Sequence, residues 1–514
     1  TLTVGDIQST VGNVSLTVAC PGGTISVPGA AFPGSQVISA GTVNTATDIL
    51  TMTGNGLIRA NGAGVASTIR ANTIGMSGTS TIETTGISSN LVVQSCCAAG
   101  NALAVNFTSP TAIIRATGAT SDVNFNSITN GAVTITGGAA NGLISATRNV
   151  GFFGNTGAVA VNVNQITGTV TGTGQNFGVT VQTGGLTADT INAGGAANIS
   201  LTATNGNLTA TNLTAAGSIT ALASNGSLSL GSSTAGTTLT GTVTTNGNLT
   251  VSSAISSTGA LSLVNSSAAA AQGNITINGN TSSTGSTVSL TSGTNATAVT
   301  TVATLTTVTG QTGVTVTTPA LTLTGSGAIT ATTGNANVQS NLASGALTVT
   351  MGSGSAINAA AAGADVTFNN TTAGAITINN AGLGTINAND TVVLNGGANA
   401  VSVNVNDVSG NVTGSGTSFV VNVDTNNLSV GAVSASAGVG TFINTAAAVG
   451  QGSITAVSGG GVSSTGALTF TAGTNGSVTL NAAATSTAST LNLTSGTAAG
   501  TGVTVATGIL GRGQ

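Results

Sequence analysis

Short runs in which apolar and polar residues alternate strictly constrain the fold of this chain more than any other feature. Ala-Leu-Ser-Leu at 260–263, Asn-Ile-Thr-Ile at 274–277 and Val-Ser-Val-Asn-Val at 401–405 are typical, and Gly or Asn-Gly bounds such runs. A period of two with β-branched residues predicts short strands with one buried face. Because neither Gly nor β-branched residues favour a helix interior, we predict an all-β fold.

The spacing of similar runs indicates that the chain coils. Asn-Gly recurs at 205–206, 225–226 and 246–247, at near-constant spacing and each time before an alternating run. Val-Asn-Phe at 105–107 returns at 123–125. Short strands that return at such a spacing are typical of a solenoid in which each coil packs on the next. We predict a parallel β-helix (β-solenoid) with about 17–21 residues per coil and about 25–30 coils, right-handed because that crossover hand is preferred.

A longer repeat is superimposed on the short one. Residues 159–177 match residues 401–419 at an offset of 242. Toward the N-terminus the offset grows to 243 and then to 244, in two further pairs of runs: Asp122–Phe125 with Asp365–Phe368, and Ala102–Val105 with Ala346–Val349. Shifts of a single position between blocks are typical of loop insertions. We therefore predict an internal duplication, with copies at about 100–190 and 343–430.

The first 35 residues differ from the remainder. They hold three of the five prolines, Pro21, Pro28 and Pro33, together with a cysteine. Proline is poorly tolerated inside a strand ladder because it lacks the N–H donor. We therefore expect residues 1–35 to be a cap or a docking strand, and residues 36–514 to form a continuous β-solenoid.

Three cysteines, Cys20 and the adjacent pair Cys96 and Cys97, leave more than one interpretation open. A disulfide from Cys20 to either member of the pair is sterically feasible and would suit an oxidising, extracellular setting. Alternatively, the three are buried thiols that act as small hydrophobic residues. An odd cysteine could also bond between subunits.

Charged residues are almost absent: the chain has five Arg, nine Asp or Glu, and no His, Lys, Trp or Tyr. Without His or Lys, the abundant Ser and Thr hydroxyls lack an obvious activating base. No two acidic residues lie closer than 17 positions, whereas glycoside hydrolysis needs a pair of carboxyl groups. Binding to nucleic acid needs clustered Lys or Arg. We therefore predict neither an enzyme nor a nucleic-acid-binding protein, and we expect no cofactor.

Three aspartates, Asp390, Asp407 and Asp424, follow one another at intervals of 17, close to one predicted coil. Carboxylates stacked on adjacent coils repel one another, and a bound Ca²⁺ would hold such a column together. Their counterparts in the first copy of the duplication are Arg148, Gln165 and Gln182. These counterparts favour an outer position that accepts any hydrophilic residue, so we predict no metal site and keep the three aspartates as the only candidates for one.

Apolar runs in this chain are too short for a membrane-spanning helix, which needs about 20 consecutive apolar residues. Thr, Ser, Asn or Gly interrupts them every one or two positions. We therefore predict no membrane span. The sequence begins at Thr1 without Met and without a basic, apolar leader, as a mature exported form would. We expect an extracellular or cell-surface location.

Several Gly-Ala-Leu runs resemble the repeats of a known group of bacterial proteins. They read Thr-Gly-Ala-Leu-Ser-Leu at 258–263, Ser-Gly-Ala-Leu-Thr-Val at 344–349 and Thr-Gly-Ala-Leu-Thr-Phe at 465–470, with Asn-Gly-Asn-Leu-Thr-Val at 246–251. They are similar to repeats of filamentous-haemagglutinin-like proteins and autotransporter passengers. The resemblance implies a right-handed β-helix that is exported to the bacterial surface and serves as an adhesin or a biofilm component.

The ends of the predicted solenoid suggest how it would function. A solenoid edge pairs with further strands unless a cap covers it, and neither terminus carries an amphipathic helix or a charged cap. Head-to-tail contact between copies that does not close a ring produces a filament. We therefore predict a secreted structural subunit that self-assembles head-to-tail into an extracellular filament or sheath. The candidate assembly residues are Thr1, Leu2, Thr3, Val4, Ile509 and Leu510.

Two alternative functions remain open at this point. The first is an adhesin rod within a larger bacterial surface protein, with surface glycans as partners. The second, a minor alternative, is an ice-binding solenoid, because Thr-x-Thr recurs at 51–53, 169–171 and 238–240 and flat Thr arrays suit ice. Such an array needs one face at a fixed register, and these copies do not keep one.

Overall fold

The computed structural model divides the chain into two compact units, Thr1–Thr244 and Thr245–Gln514. Both are parallel β-solenoids, together about 20 turns of about 24 residues, and the described part of the chain contains strands and no helix. The predicted all-β solenoid is thus confirmed. The structure describes residues 1–18, 22–28, 36–39, 41–96, 102–128, 130–343, 345–370, 374–379, 383–506 and, for the backbone, 510–511.

The first unit holds 24 strands among its described residues. They are β1 (Leu2–Thr3), β2 (Ile7–Ser9), β3 (Val14–Thr17), β4 (Thr24–Pro28), β5 (Gln36–Ser39), β6 (Val43–Ala46), β7 (Ile49–Thr53), β8 (Leu57–Ala60), β9 (Ser67–Arg70), β10 (Thr73–Met76), β11 (Thr81–Thr84), β12 (Leu91–Gln94), β13 (Leu103–Phe107), β14 (Ile113–Ala116), β15 (Val123–Asn126), β16 (Val133–Thr136), β17 (Leu143–Val163), β18 (Gln165–Val181), β19 (Leu186–Ala193), β20 (Ile199–Asn205), β21 (Leu208–Ala215), β22 (Ile219–Asn225), β23 (Leu228–Ala235) and β24 (Leu239–Val243).

The second unit holds 30 strands among its described residues. They are β25 (Leu249–Val251), β26 (Ile255–Ser257), β27 (Leu261–Asn265), β28 (Ile275–Ile277), β29 (Thr281–Ser283), β30 (Thr287–Thr291), β31 (Val299–Val302), β32 (Thr307–Gly310), β33 (Gly313–Thr317), β34 (Ala320–Leu323), β35 (Ala328–Ala331), β36 (Asn335–Gln339), β37 (Leu347–Met351), β38 (Ala356–Ala359), β39 (Val366–Asn369), β40 (Ile376–Asn379), β41 (Thr385–Asn395), β42 (Val401–Val405), β43 (Asp407–Gly416), β44 (Phe419–Val423), β45 (Leu428–Ala435), β46 (Gly440–Asn444), β47 (Ile454–Ala456), β48 (Val462–Ser464), β49 (Leu468–Thr471), β50 (Val478–Leu480), β51 (Ala484–Ser486), β52 (Leu491–Thr494), β53 (Val503–Val505) and β54 (Leu510–Gly511).

Strands pair with the equivalent strand of the next coil, always in parallel. In the first unit β1, β4, β7 and β10 form one such stack, β2, β5, β8 and β11 a second, and β3, β6, β9 and β12 a third. Alternate residues of each strand point inward, so like positions on successive coils form ladders. One inward ladder consists of Ile25, Leu50, Ile74, Val105 and Ile135, all fully buried. These apolar ladders are the core.

The coils are longer and more variable than the sequence pattern predicts. The shortest coils pair Val159 with Phe177, whereas a much longer coil separates Leu91 from its partner Val123. The strands keep their register while the corners between them absorb the extra length. The Asn-Gly spacing comes from the region of β20 to β24, where the coil is short. The predicted coil length was therefore wrong for most of the chain, and the predicted number of coils was too high.

The two predicted copies share features of their hydrogen-bonded register. The pairing of β17 with β18 shifts between Ser145 and Asn149, and that of β41 with β43 shifts between Asn387 and Thr391, at equivalent positions of the two copies. The tight coil that pairs Val159 with Phe177 likewise returns as the coil that pairs Val401 with Phe419. The two copies therefore share strand pairing and bulge positions, and some of their coils differ in length by a single residue.

The N-terminal segment contributes strands to the first two coils. Within residues 1–35, β1 to β4 are described, and β1 pairs with β4. Pro28 is the last residue of β4, where proline is tolerated because the strand ends there. Pro21, Pro33 and Cys20 lie outside the described residues. That this segment acts as a cap or a docking strand stays a prediction.

Candidate functional site

The first coil, β1 to β3, presents one candidate surface. Each strand pairs with a later coil, through β4, β5 and β6, and no described residue of the chain pairs with its other edge. Leu2 lies on the inward ladder directly over the fully buried Ile25, yet it is 37% exposed. Val14 and Leu16 of β3 are still buried. Within the part of the chain that the structure describes, the outer edge of this coil therefore has no strand partner and lies beside an exposed apolar side chain.

The last coil, β52 to β54, presents a similar surface in the second unit. Its strands pair only with β49, β50 and β51 among the described residues. Val503 and Val505 continue the buried ladders of Val478 and Leu480, but each is 42% exposed because no further described coil covers it. Val503–Val505 therefore combines an edge that no described strand covers with an exposed apolar face, as strands that add partners do.

The predicted assembly residues fall partly on these surfaces. Leu2 and Thr3 form β1, Thr1 precedes it, and Val4 is buried with its N–H donating to Ser26 O at 2.8 Å. Leu510 begins β54 and pairs with Thr485, whereas Ile509 lies outside the described residues. Leu491, Leu493, Val503 and Val505 were missed. The signal that marks them is the alternation in Leu-Asn-Leu and Val-Thr-Val near the C-terminus.

A buried carboxylate links three coils on the outer face of the first unit. Glu83 of β11 lies in register between Arg59 of β8 and Arg115 of β14. Arg59 Nε donates to Glu83 Oε1, and Arg115 Nε donates to Oε2 at 2.6 Å. The Glu83 side chain is 1% exposed, whereas the arginines are more than a third exposed. This ladder was not predicted, because the coil from Arg59 to Glu83 is shorter than the coil from Glu83 to Arg115. The only signal in the sequence is that Ile-Arg-Ala occurs at both arginines.

A second ion pair joins adjacent coils near a corner. Arg148 Nη2 donates to Asp122 Oδ2 at 2.5 Å, Arg148 Nε donates to Asp122 Oδ1 at 2.8 Å, and the Asn149 N–H donates to Oδ1 at 3.0 Å. The hydrogen bond from Arg148 lowers the pKa of Asp122. Burial acts in the opposite direction, and the Asn149 N–H acts in the same direction as Arg148. Asp122 is therefore ionised throughout the physiological range.

The three aspartates proposed as a calcium column do not share a ladder. Asp407 pairs with Thr385 of the preceding coil, and the Asp424 N–H donates to Asn406 O. Asp390 lies exposed in the corner within β41. The spacing of the aspartates does not match the local coil, so the three carboxylates do not stack. Within the described ranges, no three acidic or cysteine side chains come close enough to share a metal ion.

Asp407 is the aspartate with the most distinctive surroundings. It is half-buried, and Asn426 Nδ2 donates to its Oδ2 at 2.7 Å. Burial raises the pKa of Asp407, while the hydrogen bonds from Asn426 and from the Val408 N–H act in the opposite direction. Its counterpart in the first copy is the neutral Gln165. The Asp407 carboxylate is therefore partly desolvated. No cation is among the groups that shift its pKa.

The disulfide prediction stays a prediction. Cys96 is buried, and its N–H donates to Asn72 Oδ1 at 2.8 Å. Cys20 and Cys97 lie outside the described residues.

Of the residues that the structure describes, none forms a helix long and apolar enough to cross a membrane. Comparisons of the chain with protein-family models, with curated proteins and with solved structures found no match. The β-solenoid implied by the resemblance to haemagglutinin-like repeats is shown by the strand pairing itself.

Proposed function

We propose that this protein is a secreted structural subunit that assembles head-to-tail with copies of itself through the edges of its first and last coils. The observation that carries the proposal is the exposure of core-ladder residues at both surfaces, Leu2 on β1 and Val503 and Val505 on β53. Strands β52 to β54 of one copy would pair with β1 to β3 of the next, continuing the parallel register. The apolar side chains of both surfaces would then be removed from water.

The composition of these coils supports the same proposal. Natural edge strands avoid pairing by carrying charges or proline. Strands β1 to β3 and β52 to β54 carry neither, and the net charge of the whole chain is only −4. Copies would therefore approach one another with little electrostatic repulsion. An extracellular filament or sheath is the structure that repeated contacts of this kind would build.

The same open edges favour one alternative. Further coils of a longer polypeptide would also cover them, and the chain would then be part of an adhesin rod in a larger bacterial surface protein. The Gly-Ala-Leu runs that resemble haemagglutinin-like and autotransporter repeats support this second candidate. We propose a relationship to those protein families only as part of this second candidate.

Concentration-dependent assembly separates the two candidates. Light scattering and negative-stain electron microscopy of the 514-residue chain should show linear polymers that lengthen with concentration. The double variant V503D/V505D should remain monomeric, because two carboxylates at the open edge oppose pairing. Its matched control is T209D/N212D, which places the same two charges on exposed positions of β21 and should polymerise like the parent.

Two results would overturn the self-assembly proposal. One is a parent chain that stays monomeric at every concentration, which would favour the adhesin rod. The other is polymerisation of V503D/V505D to the same extent as the parent. Circular dichroism of each variant would establish that the β-solenoid is intact before assembly is compared.

A further inference from the structure

An open groove runs across the coils on the outer face of the second unit. It encloses about 480 Å³ and spans the four coils of β35, β38, β41 and β43. One wall is the outward ladder Thr330, Asn358, Asn387 and Ser409. At about 4.8 Å per coil, that wall is about 14 Å long. The groove therefore suits an extended ligand rather than a compact one.

Side-chain amides give this wall its hydrogen-bonding character. Asn387 Nδ2 donates to Asn358 Oδ1 at 2.8 Å, and Asn358 Nδ2 donates to Thr330 Oγ1 at 3.2 Å. The two amides are held in line by these bonds, so little side-chain entropy remains to be lost on binding. Ser409 follows Asn387 on the next coil and adds a hydroxyl group to the row. The wall thus presents ordered donors and acceptors without a net charge.

Small residues border the amide ladder. Ala359 and Ala388 lie next to it but point inward and are largely buried. Ala360, which also lines the groove, is exposed and offers its methyl group to a ligand. A ligand that fits would combine many hydroxyl groups with some C–H surface. A sugar ring has both features.

The first unit differs at the equivalent ladder. This ladder reads Glu83, Arg115, Ser145 and Thr167 at the positions of Thr330, Asn358, Asn387 and Ser409. There the long side chain of Arg115 spans the ladder to reach Glu83. In the second unit Thr and Asn stand in place of this ion pair. The two units thus share the strand pairing of this ladder and differ in the chemistry of this wall.

We propose that the groove along Thr330, Asn358, Asn387 and Ser409 binds a chain of neutral sugar units. The amides and hydroxyls would pair with sugar hydroxyls, which both donate and accept hydrogen bonds. No arginine lies along this wall, and Asp390 is exposed in the adjoining corner. An acidic polysaccharide would therefore meet a carboxylate and no compensating cation. This binding is independent of head-to-tail assembly.

Binding of defined oligosaccharides tests the proposal. The probes are cellohexaose, maltohexaose and a hexamer of N-acetylglucosamine, with a hexamer of galacturonic acid as the acidic comparison. Isothermal titration calorimetry on the 514-residue chain should detect at least one neutral hexamer. The double variant T330E/N358R, which installs the ion pair of the first unit, should weaken that binding at least tenfold.

A matched control places the same ion pair outside the groove. S200E/T220R introduces Glu and Arg at exposed, directly paired positions of β20 and β22 and should bind like the parent. Because Glu83 and Arg115 are paired in the same way in the first unit, we expect T330E/N358R to fold, and thermal unfolding would verify it. Unchanged affinity of T330E/N358R, preference for the galacturonic acid hexamer, or no binding of any neutral hexamer would each overturn the proposal.

Discussion

Asp122 and Arg148 form an ion pair between adjacent coils of the first unit, and at the equivalent positions of the second unit stand Asp365 and Asp390. The backbone is the same in both places. The Asn149 N–H donates to Asp122 Oδ1, and the Thr391 N–H donates to Asp365 Oδ1 at 3.2 Å. One copy therefore places opposite charges on neighbouring coils where the other places like charges.

Asp390→Arg should stabilise the second unit by recreating the first unit's ion pair with Asp365. The midpoint of thermal unfolding, measured by calorimetry at low salt, should rise above that of the parent. Asp390→Asn serves as the control, because it removes the like-charge repulsion without adding a pair, and it should raise the midpoint less. The advantage of the arginine should shrink at high ionic strength, since the site is exposed. Equal midpoints for the two variants would contradict a pairwise attraction.

Asp407→Asn should stabilise the protein at neutral pH and leave it unchanged in acid. Burial raises the pKa of Asp407 in the folded state, so ionisation costs stability as pH rises from the usual value of 3.8 through the folded value. The amide removes that cost and still accepts the hydrogen bond from Asn426. Urea unfolding at neutral pH and at a pH well below the usual value measures the difference. Asp407→Gln, which copies Gln165, should behave alike, and a gain that persists in acid would refute the desolvation argument.

Glu83→Ala should destabilise the first unit by about 1–3 kcal/mol, because it removes two charge-assisted hydrogen bonds and leaves two guanidinium groups close together. The range extends down to about 1 kcal/mol because Arg59 and Arg115 are more than a third exposed, and water weakens their attraction to Glu83. The free energy of unfolding from denaturant titration gives the value. Thr330→Ala, on the equivalent ladder of the second unit, is the matched control and should change it by far less. A loss no larger than that of the control would show that the ladder contributes nothing.

Phe442→Ala should cost about 3–5 kcal/mol by opening a cavity in the core of the second unit. Phe442 lies between Phe419 and Phe470, with ring centroids 6.1 Å and 5.1 Å away, and all three rings are fully buried. Phe442→Leu keeps most of the volume and should lose less. Denaturant unfolding of the two variants measures both effects. Similar losses would mean that the coils collapse around the missing ring.

The fold was largely predictable because period-two alternation needs only neighbouring residues. Runs such as Leu249–Val251 and Val401–Val405 indicate a strand whatever surrounds them. The coil length was not predictable in the same way, since it depends on how many residues each corner holds. Leu91 and Val123 are partners across a long coil, and no local pattern records that distance.

The candidate sites were less predictable for the same reason. The Arg59–Glu83–Arg115 ladder and the groove at Asn358 and Asn387 both arise from residues that meet only when the register is known. Of the predicted assembly residues, Leu2 and Thr3 form β1, whereas Val503 and Val505 at the other end were not among them, and a role in assembly stays a prediction for all of them. These exposed valines belong to β53, a short distance before Ile509 and Leu510.

The unequal coils have a consequence for how such a protein changes over generations. Since the short coil at Val159 and the long coil at Leu91 both keep the ladders in register, a codon gained or lost at a corner leaves the core intact. Selection is then free to vary what the corners display while the ladders stay unaltered. The same freedom makes the corners natural places to graft foreign peptides for display.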